Sequence, residues 1–117
     1  HPMKGVEKHF NIVETLKRSA PGMTFVGSGY SWLRQYGTNA ASYNVERGRV
    51  DIAGWGRLAI ASPRFPRYVF ESGAVPPMKT CVACGSCTRL LRAGLRSGCV
   101  VQNPDEFSES MKKLDEK

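Results

Sequence analysis

The sequence predicts an α/β fold with parallel strands, followed by a cysteine-rich loop. Helical and strand-like segments alternate along the first part of the chain, an order that favours a parallel arrangement. Glycine-containing turns follow both strand-like segments, and four cysteines then fall within residues 81–99. The chain has 117 residues, which is enough to bury the core of one ordinary domain.

Hydrophobic spacing predicts the first helix and the first strand. Apolar residues recur at three- and four-residue steps from Val6 to Leu16, which indicates an amphipathic helix over residues 6–19. A proline and a glycine directly after it stop the helix. Residues 23–26 are expected to form a short buried strand that runs into a glycine loop at residues 27–29.

A second helix and strand follow, and then a third helix. The second helix is predicted over residues 31–47, because Ser31 can cap its start and a glycine directly after it can stop it. Residues 50–53 indicate another short strand. The third helix is expected to begin between residues 62 and 66 and to end at Gly73.

The charge balance and the cysteine usage narrow the class of protein. Seventeen basic and ten acidic residues give a net charge of +7, which indicates either anionic partners or a basic surface without a specific partner. The basic residues are spread out and are not interleaved with aromatics in a short patch, which argues against nucleic acid. No apolar run reaches the roughly 18 residues of a membrane span. Four cysteines without an export signal indicate a reducing compartment, the cytoplasm, where a tight cysteine pattern is typical of metal binding.

The cysteine spacing predicts a metal centre on Cys81, Cys84, Cys87 and Cys99. Three thiolates two residues apart, joined by a fourth from farther along the chain, match a cubane iron–sulfur cluster. Zinc sites usually pair their ligands as two separated hooks, so zinc is the first alternative. Structural thiols without a metal are the second.

Two glycine loops are candidates for binding a phosphate group. Gly27 and Gly29 follow the first strand, and Gly56 and Arg57 follow the second. Glycine lets the backbone approach a ligand closely, and Arg57 can make a bidentate contact to phosphate. A full dinucleotide fingerprint is absent, because Trp32 stands where the third glycine belongs. Two ordinary strand-to-helix turns are the alternative.

The same segments resemble a known family. Val26-Gly27-Ser28-Gly29-Tyr30, residues 46–53 and Gly56-Arg57-Leu58-Ala59 resemble the last two β/α units of the NADH:flavin oxidoreductases, the old yellow enzyme group. The segment from Cys81 to Pro104 is similar to the iron–sulfur branch of that group, typified by 2,4-dienoyl-CoA reductase. Two residues stand between the second and third cysteines, where that branch typically has three.

The resemblance implies a fold and a division of the chain. Residues 1–75 are expected to be the C-terminal portion of a (β/α)8 TIM barrel, followed by an iron–sulfur segment at residues 76–104 and a charged tail at residues 105–117. A complete barrel needs about 250 residues, so the remainder is expected elsewhere in the same chain or in another subunit. This segment alone is expected to be inactive.

The resemblance also implies cofactors and a reaction. The expected phosphate contacts of FMN are Gly27, Ser28, Gly29, Tyr30, Gly56 and Arg57. A [4Fe–4S] cluster is expected on the four cysteines. The family passes electrons from NAD(P)H through flavin to an activated C=C bond, as in an enone or enoyl substrate. No catalytic residue is identified in this segment.

The electron donor and two other functions stay open. The nicotinamide domain of the dienoyl-CoA reductases does not follow the cysteines, so either a separate electron-donor protein supplies the cluster or the cluster is structural. One alternative is a zinc-binding basic module that contacts nucleic acid or another anion. The other is a small electron-transfer protein that works alone.

Overall fold

The computed structural model describes residues 1–116 and is mostly helical. Within these residues the α-helices are α1 (Pro2–Ser19), α2 (Gly37–Glu46), α3 (Arg57–Ala61), α4 (Phe65–Ser72), α5 (Ser86–Arg92) and α6 (Pro104–Asp115). Two 3-10 helices cover Tyr30–Tyr36 and Pro77–Lys79. The strands β1 (Val26–Gly27) and β2 (Ile52–Ala53) pair in parallel.

The prediction of an α/β fold that forms the C-terminal portion of a (β/α)8 TIM barrel is wrong. The two strands do pair in parallel, Val26 opposite Ile52 and Gly27 opposite Ala53, but each is only two residues long. Val26 and Ile52 are exposed, so this sheet buries little apolar surface. Helix packing supplies most of the core, and the described chain is a small helical domain.

The prediction of a first helix is confirmed, although the helix begins before the predicted start at residue 6. α1 begins at Pro2, a residue whose fixed backbone suits a first helical turn. Val6 is the buried residue of its apolar face. Lys17 and Arg18 occupy the last turn, where positive charge interacts favourably with the helix dipole.

The predicted second helix is broken at Arg34. Residues Tyr30–Tyr36 form a 3-10 helix, and α2 starts only at Gly37. Arg34 has a φ of 51° and a ψ of −126°, which leave the helical region. A β-carbon on Gly37 would stand 2.6 Å from the carbonyl oxygen of Tyr30, so this position accepts only glycine without rearrangement.

A row of aromatic rings packs beneath the glycine loops, with Tyr30 fully buried and the other three rings half-buried. Phe10, Tyr30, Trp55 and Phe65 follow one another with ring centroids 5.1, 5.3 and 5.6 Å apart. Such tilted pairs stabilise beyond the area they bury. The row joins α1, the 3-10 helix, the turn after β2 and α4. It therefore fixes the positions of both glycine loops.

A hydrophobic core cluster lies beneath the cysteine segment. Leu90 of α5 packs with Phe107 and Met111 of α6, and all three are buried. α6 begins at Pro104 and covers most of the predicted charged tail, while Lys117 of that tail lies outside the described residues. The expected end of the third helix at Gly73 is confirmed, since Gly73 caps α4 with a φ of 74°.

No helix in residues 1–116 combines the length and the apolar character that crossing a membrane demands.

Candidate functional site

The four predicted metal ligands come together in the structure. Cys81 and Cys84 lie in the loop before α5, Cys87 lies in its first turn, and Cys99 follows it. All four line one cavity, and all four are free thiols. The free space between them is about 20 Å³, roughly the size of one water molecule, so a larger group requires the side chains to rotate outwards.

Left-handed backbone turns bring these side chains together. Ala83 has a φ of 57° and Gly85 a φ of 81°, so the chain reverses between successive cysteines. Turns of this kind direct backbone N–H groups into concavities that bind anions, iron–sulfur centres among them. The N–H of Ala83 donates to Cys81 Sγ at 3.3 Å. Backbone N–H donation to a cysteine sulfur is therefore built into the loop.

The thiols differ in how readily they ionise. Burial raises the pKa of Cys81, and the neighbouring thiolates of Cys87 and Cys99 raise it further. Hydrogen bonding to Ser86 lowers the pKa of Cys84, whose Sγ lies 3.5 Å from Ser86 Oγ. Since the thiolate is the metal-binding form, Cys84 is the ligand that is easiest to engage.

The cysteines do not form a ready-made site for a single ion. In the part of the chain that the structure describes, no group of three or more His, Cys, Asp or Glu side chains has the geometry to hold a metal ion. The donor set itself, four thiols with an N–H donor beside them, suits a soft metal centre.

The two glycine loops lie side by side, because β1 and β2 are parallel and end at the same edge. The N–H of Gly54, just after β2, donates to the carbonyl of Gly27 at 2.6 Å. The N–H of Leu58 in α3 donates to the buried Ser31 Oγ at 3.1 Å. The loop after each strand is thus tied to the other.

Two of the predicted phosphate contacts, Tyr30 and Gly27, are buried in the interior of the domain. The Tyr30 side chain is fully buried, and its hydroxyl accepts a hydrogen bond from Asn44 Nδ2 at 3.3 Å. A β-carbon on Gly27 would stand 2.6 Å from a methyl group of Val50, so this glycine serves close packing. Both residues are buried and serve packing within the domain.

Three other predicted contacts border open space. Ser28 Oγ lies 3.2 Å from His9 Nε2 on the exposed side of α1. Gly29, with a φ of 94°, lines a surface cleft together with Ser28, His9 and Trp32. No atom lies within 4 Å of a β-carbon placed on Gly56. These backbone positions are accessible to an anion.

His9 was not predicted to be part of a site. His9 is exposed, and its ring reaches the glycine loop. A usable signal exists in the sequence. His9 follows Val6 by three residues, so it stands on the face of α1 that packs toward the loop.

Arg57 joins the two candidate sites. Its guanidinium carbon lies 4.4 Å from the centre of the Trp32 ring, which is the geometry of a cation–π contact. Its side chain also lines the cavity formed by the four cysteines. The sequence predicts a phosphate contact for Arg57, and the structure places its side chain in the wall of the cysteine cavity.

Comparison with known proteins returned no relative: no protein-family model, curated protein or solved structure matches the chain.

Proposed function

We propose that the chain binds a [4Fe–4S] cluster through Cys81, Cys84, Cys87 and Cys99 and belongs to an FMN-dependent NAD(P)H oxidoreductase. The observation that carries the proposal is that all four side chains line one cavity. A cluster held there supplies one-electron transfer. Four unpaired thiols also suit a reducing compartment such as the cytoplasm.

The residues of the loop fit the proposed cluster. Cys84 is exposed and ionises readily because of Ser86, so it is open to incoming iron. The N–H of Ala83 stabilises negative charge on the Cys81 sulfur. Arg57 offsets part of the charge of four thiolates. The loop therefore offers ligands, a hydrogen-bond donor and a counter-charge in one place.

The flavin part of the proposal rests on the glycine loops. The accessible positions at Ser28, Gly29 and Gly56 offer backbone N–H groups and a hydroxyl to the phosphate of FMN. The other contacts to FMN, and those to an enone or enoyl substrate, come from the remainder of the enzyme. Electrons from NAD(P)H, or from an electron-donor protein, reach the acceptor through these two groups.

Anaerobic reconstitution with iron and sulfide tests the cluster. The wild-type chain should take up about four irons and four sulfides and become brown. Cys81→Ser, Cys84→Ser, Cys87→Ser and Cys99→Ser should each lose most of this iron. Thr88→Ala is the matched control, because it lies next to Cys87 in α5, keeps all ligands and does not line the cysteine cavity. Stoichiometric zinc in a colourless protein purified without added metal would favour the zinc module instead.

Flavin content separates the proposal from a stand-alone electron-transfer protein. The protein is purified from cells with whatever it assembles with and is then denatured with acid. Released FMN in proportion to iron supports the oxidoreductase. Iron without any flavin favours an electron-transfer protein that works alone.

A further inference from the structure

Arg57 holds an unusual position among the charged side chains. Of the described residues that line the cysteine cavity, it alone carries a charge; its other neighbours there are apolar, such as Ile60 and Val100. The guanidinium therefore acts electrostatically on the thiols from within the wall of the site.

The charge of Arg57 is not neutralised by a carboxylate. Across residues 1–116 the ion pairs involve other basic side chains, and no Asp or Glu pairs with Arg57. Five other arginines in the described chain do have a carboxylate partner: Arg18, Arg49, Arg67, Arg89 and Arg96. Its full charge is thus available to the cavity.

The local structure holds Arg57 in place. Its guanidinium stacks over Trp32, a residue of the first 3-10 helix. The hydrogen bond from the Leu58 N–H to Ser31 Oγ is buried and fixes the start of α3, one residue after Arg57. Stacking suits arginine, whose planar guanidinium lies flat on an aromatic face, and suits lysine poorly.

We propose that the positive charge of Arg57 raises the reduction potential of the cluster. Trp32 is the positioning residue, because it holds the Arg57 guanidinium at the cavity. This inference rests on the proposed function. A cluster with four thiolate ligands is negatively charged, and reduction adds one more electron. A fixed positive charge at the wall stabilises the reduced form more than the oxidised form. Removing that charge makes reduction harder.

A potentiometric titration of the reconstituted full chain, followed by electron paramagnetic resonance, tests the proposal. Arg57→Gln should lower the ratio of reduced to oxidised cluster at a fixed potential about tenfold, equivalent to a shift of about −59 mV for one electron. Trp32→Leu should shift the potential in the same direction by less, because the charge remains but loses its anchor. Arg47→Gln is the control, since it removes the same charge from a guanidinium that lies over Tyr43 instead.

The outcomes separate this inference from the proposed function. If every variant holds iron and Arg57→Gln has the same potential as Arg47→Gln, the role of Arg57 is wrong and the cluster stands. If the wild-type chain takes up no iron, both are wrong. If Arg57→Gln alone fails to retain iron, the reduction potential of Arg57→Lys is measured instead. A potential between those of the wild type and Trp32→Leu supports the inference. If Arg57→Lys and Trp32→Leu both have the wild-type potential, the inference is wrong.

Discussion

The glycine-loop region, residues 1–75, and the cysteine segment, residues 76–104, are held together in different ways. In the first, aromatic rings pack in a row and polar side chains bridge distant elements; Arg49, for example, donates to Glu14 at 2.7 Å and to Asn44 at 3.2 Å. In the second, the backbone turns at Ala83 and Gly85 and the short local hydrogen bonds of Cys81 and Cys84 shape the loop, and Arg57 lines the cavity beside the thiols.

This difference indicates what each region needs in order to be stable. The glycine-loop region has a core and side-chain bridges of its own. The cysteine segment has its core only on one side, where Leu90 meets α6, and thiols on the other. We therefore expect the cysteine segment to depend on α6 and on a bound metal centre, and the glycine-loop region to depend on neither.

The largest expected effect is a loss of stability when the hydrophobic core beneath the cysteine segment is disrupted. Phe107→Ala should lower the free energy of unfolding by about 3–5 kcal/mol, because it empties the core against Leu90. Urea denaturation measures the change. Phe70→Ala is the control, since 91% of Phe70 is exposed and its removal should cost less than about 0.5 kcal/mol. Equal effects of the two substitutions would contradict this view of the core.

Two glycines provide a contrast within the glycine-loop region. Gly37→Ala should destabilise by about 1–3 kcal/mol, because its β-carbon would collide with the Tyr30 carbonyl and the Trp55 ring. Gly5→Ala, at an open position inside α1, should stabilise by about 0.5–1 kcal/mol through helix propensity. Thermal unfolding followed by circular dichroism tests both. A stabilising Gly37→Ala would show that this packing is not tight.

The buried hydroxyl of Tyr30 offers a smaller test of the same region. Tyr30→Phe removes the acceptor of the Asn44 side chain and should cost about 1 kcal/mol in urea denaturation. Iron uptake should stay at the wild-type level, because Tyr30 packs with Phe10 and Trp55 and does not line the cysteine cavity. A loss of iron in Tyr30→Phe would indicate that the two regions are not independent.

The smallest expected effect is a dependence on pH at the start of β1. The hydrogen bond from Lys17, with that from the Phe25 N–H, holds the pKa of Asp51 below its usual value of 3.8. A lowered folded-state pKa contributes stability above the unfolded value, and this contribution is lost as the pH falls through the folded value. Asp51→Asn should therefore flatten the acid side of the stability profile, and an unchanged profile would refute the contribution.

The elements with clear local signals could be predicted from the sequence. The three- and four-residue spacing from Val6 gave α1, and Gly73 marked the end of α4 because a left-handed residue there favours glycine. The convergence of the cysteines was also expected from their spacing, and the structure places them around one cavity.

The remainder depends on features that spacing does not encode. The alternation of helices and strands favoured a sheet, but the pattern carries no information on how long the pairing persists, and β1 and β2 pair over two residues only. The break at Arg34 is a backbone conformation without a residue signature. α5 has only seven residues and was not predicted, because it lies within a segment that was expected to be a loop. The placement of Arg57 against the thiols follows from tertiary packing.

Hydrogen exchange before and after removal of iron tests the central claim most directly. The reconstituted chain is compared with the same protein treated anaerobically with an iron chelator. If the four cysteines hold a cluster that orders their segment, backbone amides at residues 81–103 lose protection on chelation, while those at residues 26–53 keep theirs. Equal loss in both regions, or no change in either, would contradict the account.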